Sequence, residues 1–310
     1  MEILNSHITI GNYEFDFVAD IEIETSWEEQ TAKGTITMPA NLKLDANKLR
    51  SQIKRGDKVE IFIGYENAMY NIFNGYVVSL KPSTPVVIEV EDEMWKLKQI
   101  MVTDVCKNET LKSFLSRHLP GVDIDCFDIS VPKFIANRIS AAKLLDEIKS
   151  NFGLYSFFKG KTLVVGKQYN ASNYNIQQAK FNYNIISDNL EFKNKDDIYL
   201  KVTAISNNEK GDKIEVPIGK EGGEERTLNF YNLPKAELYK LAKKEYDRLI
   251  YDGYRGDLTL FLEPFVRVGD VLELTKDDES DKTGRYWIDG VTYKFGTEGA
   301  RQTVKIGSRT

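Results

Sequence analysis

The sequence predicts a mainly β protein with an α+β insertion: two similar antiparallel β domains, each a β-barrel or a sandwich, flanking a small α+β domain. Three observations predict it. Apolar and polar residues alternate with period two through the first hundred residues and again from about residue 185. Two capped helical stripes lie between those regions. A passage near residue 56 is repeated near residue 269.

The elements follow in order. In "ADIEIETSW", Ile21, Ile23 and Trp27 share one face while Asp20, Glu22 and Glu24 share the other. "GTITM" keeps Ile36 and Met38 in phase, and "DKVEIFI" aligns Val59, Ile61 and Ile63. "IFNGYVVSL" and "VVIEVED" continue the series, with Pro82 and Pro85 marking the turn between them. Residues 41–53 read equally as a short helix or a loop. The first β domain is expected over residues 1–101.

A small α+β domain with its linker is expected over 102–184. Asn108 is positioned to cap a helix carrying Leu111, Phe114 and Leu115, which Pro120-Gly121 stops. Ser140 caps a second helix, with Leu144, Leu145, Ile148 and Phe152 as its stripe and Gly153 as terminator. Two apolar runs around Lys159-Gly160-Lys161 predict a hairpin. The following segment is polar and rich in Asn and Gln, which predicts a linker. The second β domain is expected over 185–310, with an inserted helix at about 234–252. Pro234 suits that helix's first turn, Leu238, Leu241, Ala242, Tyr246, Leu249 and Ile250 form its stripe, and Gly253 ends it.

The repeat carries the functional argument. "KRGDKVEIFI" contains Gly56-Asp57, then a strand, a polar loop and Gly75; "VRVGDVLELT" contains Gly269-Asp270, then a strand, a polar loop and Gly290. A Gly-Asp pair turns the chain into a strand, because Gly accepts positive φ and Asp bonds nearby backbone. The later glycines fit a bulge or a close backbone crossing. Generic turn chemistry explains such a match, and so does duplication of one β domain.

Composition narrows the function classes. With 42 basic and 47 acidic residues the net charge is -5, which argues against a surface that wraps duplex DNA. The two cysteines, Cys106 and Cys126, form no disulfide framework. His7 and His118 belong to no metal-binding pattern, and "GKEGGEER" lacks the spacing of a phosphate loop. No catalytic, cofactor-binding or metal-binding residue is predicted, and the expectation is that the protein is not an enzyme. No cofactor is expected. The start of the chain has no basic-then-apolar leader and no run spans a bilayer, so synthesis in a cytoplasm is expected.

Three passages resemble one family. "RGDKVEIFIGY…IFNGYVVSL…VVIEVEDEMWKLKQ" resembles the first tube domain of phage baseplate hub proteins of the late control protein D group, found in contractile injection machines. "LLDEIKSNFGLYSFFKGKTLVVG" resembles the domain between their two tube domains, and "EPFVRVGDVLEL…GRYWIDGVTYKFGTEGARQTVKI" their closing segment. The resemblance implies a homotrimeric structural adaptor of a virion tail or baseplate. Three chains with two tube domains each would match a sixfold tail tube above and a threefold spike below. It implies tail tube and spike proteins as partners, no specific nucleic-acid binding, and DNA passing through the lumen. Glu22, Glu24, Glu60, Glu89 and Glu91 then either face that lumen or are ordinary solvent-facing charges. Since no needle or lysozyme-like region follows, those parts are expected on other polypeptides. A carbohydrate-binding tail-fibre protein and a peptidoglycan-degrading tail enzyme remain as alternatives.

Overall fold

A computed structural model describes residues 3–39, 52–65, 68–81, 84–107, 109–127, 134–170, 173–208, 212–231, 233–276 and 283–310. The first module contains β1 (Leu4–Ile10), β2 (Tyr13–Phe15), β3 (Asp20–Ser26), β4 (Lys33–Thr37), β5 (Lys58–Tyr65), β6 (Ala68–Lys81) and β7 (Val87–Glu91), followed by a short helix α1 (Met94–Leu97). The alternation read in the sequence sets its core: Ile21, Ile23, Ile36, Ile61, Ile63 and Ile88 are fully buried.

The middle domain is β8 (Met101–Cys106), α2 (Leu111–His118), β9 (Asp123–Cys126), β10 (Phe134–Ser140), α3 (Ala141–Phe152), β11 (Ser156–Lys159) and β12 (Thr162–Val165). It has its own core around Leu115, Leu144, Leu145 and Leu163. Ser140 caps α3 by accepting from Lys143 N at 3.2 Å, and Gly153 closes it at φ 67°. The cap of α2 is Thr110, whose hydroxyl accepts from Ser113 N at 3.2 Å. The expected cap, Asn108, lies outside the described residues; the observed cap is two residues later, where Thr110 Oγ1 reaches an orphan first-turn N–H.

The second module contains β13 (Ile176–Lys180), β14 (Ile185–Lys193), β18 (Gly253–Phe261), β19 (Val271–Thr275), β20 (Gly284–Gly296) and β21 (Gly299–Arg309). Between β14 and β18 it carries an insertion larger than the single helix expected. β15 (Leu200–Asn207), β16 (Lys213–Gly219) and β17 (Glu224–Tyr231) form a separate three-stranded sheet under α4 (Lys235–Leu249). Val202, Ala204, Leu238 and Ala242 make their common core. The period-two pattern marks strands there, but it says nothing about which sheet a strand joins. Pro234 is the residue before α4, and Ile250 caps its end; Gly253 already belongs to β18.

The two modules share one sheet of 13 strands and one hydrophobic core. In the first module the neighbours run β3-β4-β7-β6-β5, and in the second β14-β18-β21-β20-β19, all antiparallel. Chain order matches spatial order in the same way in both. The modules do not close into barrels among the described residues. The free edge of β3 is taken by β20 of the other module, giving an open sheet. The segment expected as a linker also contributes structure: β13 pairs in parallel with β19.

Candidate functional site: the twin turns and the joint between the modules

The Gly-Asp turns have the same hydrogen bonds in both modules. Asp57 N donates to Lys54 O at 3.0 Å, and Asp270 N to Arg267 O at 3.1 Å. Gly56 N donates to Val77 O at 2.8 Å, and Gly269 N to Ile288 O at 2.9 Å. Val77 N and Ile288 N return bonds of 2.9 Å to Asp57 O and Asp270 O. Gly56 and Gly269 have φ of 91° and 83°, the region that glycine adopts without a Cβ clash. The carboxylates differ because the flanking strands differ. Asp57 accepts from Lys54 N at 2.7 Å within its own turn. Asp270 is buried and accepts from Asn175 N at 3.1 Å, tying down the chain just before β13.

These bonds fix the correspondence: Val77 matches Ile288, so Ser79 matches Gly290 and Gly75 matches Tyr286. Gly75 and Gly290 therefore lie within strands at different registers, which corrects their pairing as the same residue of the repeat. A Cβ on Gly75 would stand 2.2 Å from Glu91 O, so Gly75 permits a close crossing. Gly290 directly follows a bulge. The bulge is what repeats: the ladder shifts register between Val77 and Ser79 and between Ile288 and Gly290.

A second glycine pair does correspond. Ser79 and Thr35 both face Glu89, while Gly290 and Asp257 both face Lys305, so Gly34 matches Gly256. A Cβ on Gly34 would lie 2.4 Å from Glu22 O, and one on Gly256 2.1 Å from Asn189 O; those two oxygens are themselves equivalent. The signal is visible in the sequence as Lys33-Gly34-Thr35-Ile36-Thr37-Met38 against Arg255-Gly256-Asp257-Leu258-Thr259-Leu260.

At the joint, β20 from Gly290 to Phe295 pairs with β3 from Ser26 to Ile21. Lys294 Nζ meets Glu22 Oε1 at 3.0 Å, and Thr25 Oγ1 donates to Val291 O at 3.2 Å. Trp27, only 4 % exposed, locks the end of the pairing. Its Nε1 donates to Asp289 Oδ1 at 2.8 Å, its backbone N donates to Asp289 O at 3.2 Å, and Tyr169 OH donates to the same carboxylate oxygen. Burial pushes the Asp289 carboxyl above its ordinary range, and the two donors pull it back. Trp27 also packs edge-on to Tyr155 at 5.0 Å and against Phe157 and Val164 of the middle domain. Tyr169 stacks on Trp287 at 4.6 Å, so the supposed linker begins as part of this cluster.

The polar face of the sheet runs unbroken across the joint. Glu22 stands opposite Thr35 and Lys294, and Lys294 opposite Arg301. Glu24 stands opposite Lys33 and Thr292, and Thr292 opposite Thr303. Of the five glutamates singled out, Glu22, Glu24, Glu89 and Glu91 pair with Lys294, Lys33, Lys81 and Lys98 at 3.0, 3.4, 2.5 and 2.7 Å. Glu60 stands on β5 opposite Thr9 and Asn74. The face thus carries both signs. His7 bonds Asp16 at 2.9 Å and His118 bonds Asp104 at 2.8 Å; Cys106 and Cys126 are both buried, and Cys126 Sγ donates to Phe127 O at 3.2 Å. Among the described residues, no three His, Cys, Asp or Glu side chains converge on a metal-sized site, and no helix is long and apolar enough to cross a membrane.

By sequence, no family model and no curated protein matches the chain. By fold it is similar to a tail protein from Neisseria meningitidis, with a TM-score of 0.70 at 14% identity over 98% of this chain and 96% of that one. It is similar to a prophage 43 kDa tail protein from Shewanella oneidensis, with a TM-score of 0.61 at 16% identity over 97% of each chain. It is also similar to an E. coli component of the type VI secretion system, itself described as resembling the bacteriophage T4 tail proteins gp27 and gp5. That match has a TM-score of 0.63 at 10% identity over 98% of this chain and 77% of that one. The chain has the fold of these tail proteins.

Proposed function

We propose that this protein is a structural, non-enzymatic hub subunit of a phage tail or a related injection machine. Three copies form an adaptor between a sixfold tail tube and a threefold spike. In this reading residues 1–101 and 185–310 are two tube domains, 102–184 holds the domain between them and a connecting segment whose strand β13 joins the second, and the shared polar face lines a lumen through which DNA passes. The chain is made in a bacterial cytoplasm and assembled into the tail or baseplate. The observation that carries the reading is the duplication: one strand order, one turn, one bulge and one crowded glycine, each present twice and joined into a single sheet. A chain holding two equivalent ring sectors is what a threefold object needs in order to present six. Resemblance to the late control protein D group and the fold shared with tail and secretion proteins support it.

The mixed charge of the polar face fits a channel that neither traps phosphate nor repels it strongly. The test is the mass of the full-length protein in solution with and without the spike protein of the same machine, followed by imaging of the particles. A three-chain ring with six similar lobes is expected. A particle that remains a single chain in the presence of the spike overturns the reading.

A further inference from the structure

Each module has two lateral edges, and the internal joint shows how one module's edge receives another's. It uses the free edge of β3 and the stretch of β20 that lies beyond the Gly-Asp turn. The equivalent elements away from the joint are β14, which ends the sheet on one side, and the stretch of β6 beyond Val77, which β5 does not cover. Among the described residues, β14 has β18 on one side only, and β6 beyond Val77 is paired only with β7. Resting on the hub reading, we infer that these two edges bind each other between copies of the chain. β14 of one copy docks beside residues 79–81 of the next, antiparallel, in the register of the internal joint.

The register makes the contact specific. Inside the chain Gly290, Val291 and Thr292 face Ser26, Thr25 and Glu24. Carried to the equivalent positions, Ser79 faces Lys193, Leu80 faces Phe192 and Lys81 faces Glu191 of the neighbouring copy. Leu80 and Phe192 are half-buried at the rim of the shared core, so their exposed halves meet apolar surface. Lys81 and Glu191 have opposite charges; each holds an exposed ion pair within the chain, Lys81 with Glu89 at 2.5 Å and Glu191 with Lys193 at 3.1 Å, and with their side chains 61% and 70% exposed these surface pairs exchange for one across the joint at little cost. The two edges differ, so the contact is head-to-tail and propagates around a ring rather than stopping at a pair. The external joint also lacks the internal lock: Trp27 and Asp289 correspond to Asn194 and Val78. Without a buried indole–carboxylate contact, it forms and parts with concentration.

The test uses the full chain and reads oligomer mass against concentration. Glu191→Lys and Lys81→Glu each place like charges opposite one another at every joint, and each is expected to raise the half-assembly concentration by at least about tenfold. The double exchange restores assembly to within about threefold of the parent, because the two residues couple only across the joint. Ser79→Cys with Lys193→Cys, oxidised, gives a closed three-chain band. If the parent forms trimers but neither charge variant shifts them and the cysteines do not cross-link, the edge assignment is overturned while the hub reading stands. If the parent stays a single chain even with the spike protein present, both are overturned. A cross-linked ladder extending past three chains overturns the closed ring.

Discussion

Replacing Gly34 or Gly256 by alanine tests the duplication at the level of single atoms. The added Cβ would sit 2.4 Å from Glu22 O in the first case and 2.1 Å from Asn189 O in the second. A carbon meets a carbonyl oxygen comfortably at about 3.3 Å, so β3 must separate from β4, or β14 from β18, by about 1 Å. A ladder bond of about 2.9 Å stretched by that much is lost. Two such bonds at about 1 kcal/mol each, with a share of the overpacking cost, give about 2–4 kcal/mol for Gly34→Ala. Gly256 also has a φ of 123°, so Gly256→Ala carries a further cost of about 1–2 kcal/mol. Gly290→Ala is the control: its Cβ clears Thr25 O at 3.3 Å, and the change should stay within about 1 kcal/mol. Denaturant unfolding of the full chain measures all three. Gly34→Ala within about 0.5 kcal/mol of the parent, or Gly290→Ala as damaging as Gly34→Ala, would refute the reasoning.

The twin turns predict a ranking: Gly56→Ala and Gly269→Ala each cost about 1–2 kcal/mol from positive φ. Gly56→Ala costs more, because its Cβ meets the Trp95 ring at 2.9 Å, whereas among the described residues the nearest atom to a Cβ on Gly269 is Lys159 Nζ at 3.9 Å; equal costs in urea melts would count against it. Burial pushes the Asp92 carboxyl up to about 7 from 3.8, despite bonds from Ala32 N and Met94 N. Between those values the folded chain keeps a proton that the unfolded chain has lost. Stability therefore falls as pH rises through that window, by up to about 4 kcal/mol. Asp92→Asn should flatten the slope in pH-dependent melts. Trp27→Phe keeps the ring but removes a donor from Asp289, at about 1.5–3 kcal/mol while that carboxylate is charged and about 1 kcal/mol once it is protonated. The penalty should shrink as pH falls, and a penalty that does not change with pH sinks the assignment.

Much of the fold was legible because burial alternates so regularly. Ile21, Ile23, Val59, Ile61 and Ile63 were placed on a core face by period alone, and all are buried. The Gly-Asp turns were legible because positive φ leaves few residue choices. Sheet membership was not. "IYLKVTAIS" and "GDLTLFLE" have the same alternation, yet one belongs to the insertion and the other to the duplicated sheet; only long-range pairing separates them. Gly75 and Gly290 were matched by spacing, but loops of different length had shifted the register. The true partners, Gly34 and Gly256, lay in a six-residue pattern whose meaning depends on a carbonyl from another strand. The joint itself had no local signature. Trp27, Tyr169 and Asp289 are far apart in sequence, and a polar, Asn-rich segment gives no sign that its tyrosine will stack on Trp287.

Duplication alone does not make an adaptor; the copies must be alike in one respect and different in another. Their backbones are alike, down to the bulge and the crowded glycine, so a partner that reads sheet geometry meets equivalent sectors. Their side chains are not: Glu89 corresponds to Lys305, Glu22 to Asn189, and the buried Trp27–Asp289 contact to Asn194 and Val78. A partner that reads charge would therefore distinguish first modules from second ones. On the proposed ring this separates the two symmetries physically. Sixfold matching resides in backbone shape, which the fold conserves between modules, and threefold matching resides in surface chemistry, which it does not. The insertion of β15–β17 and α4 reinforces the distinction, since only the second module carries it and each ring would display it three times.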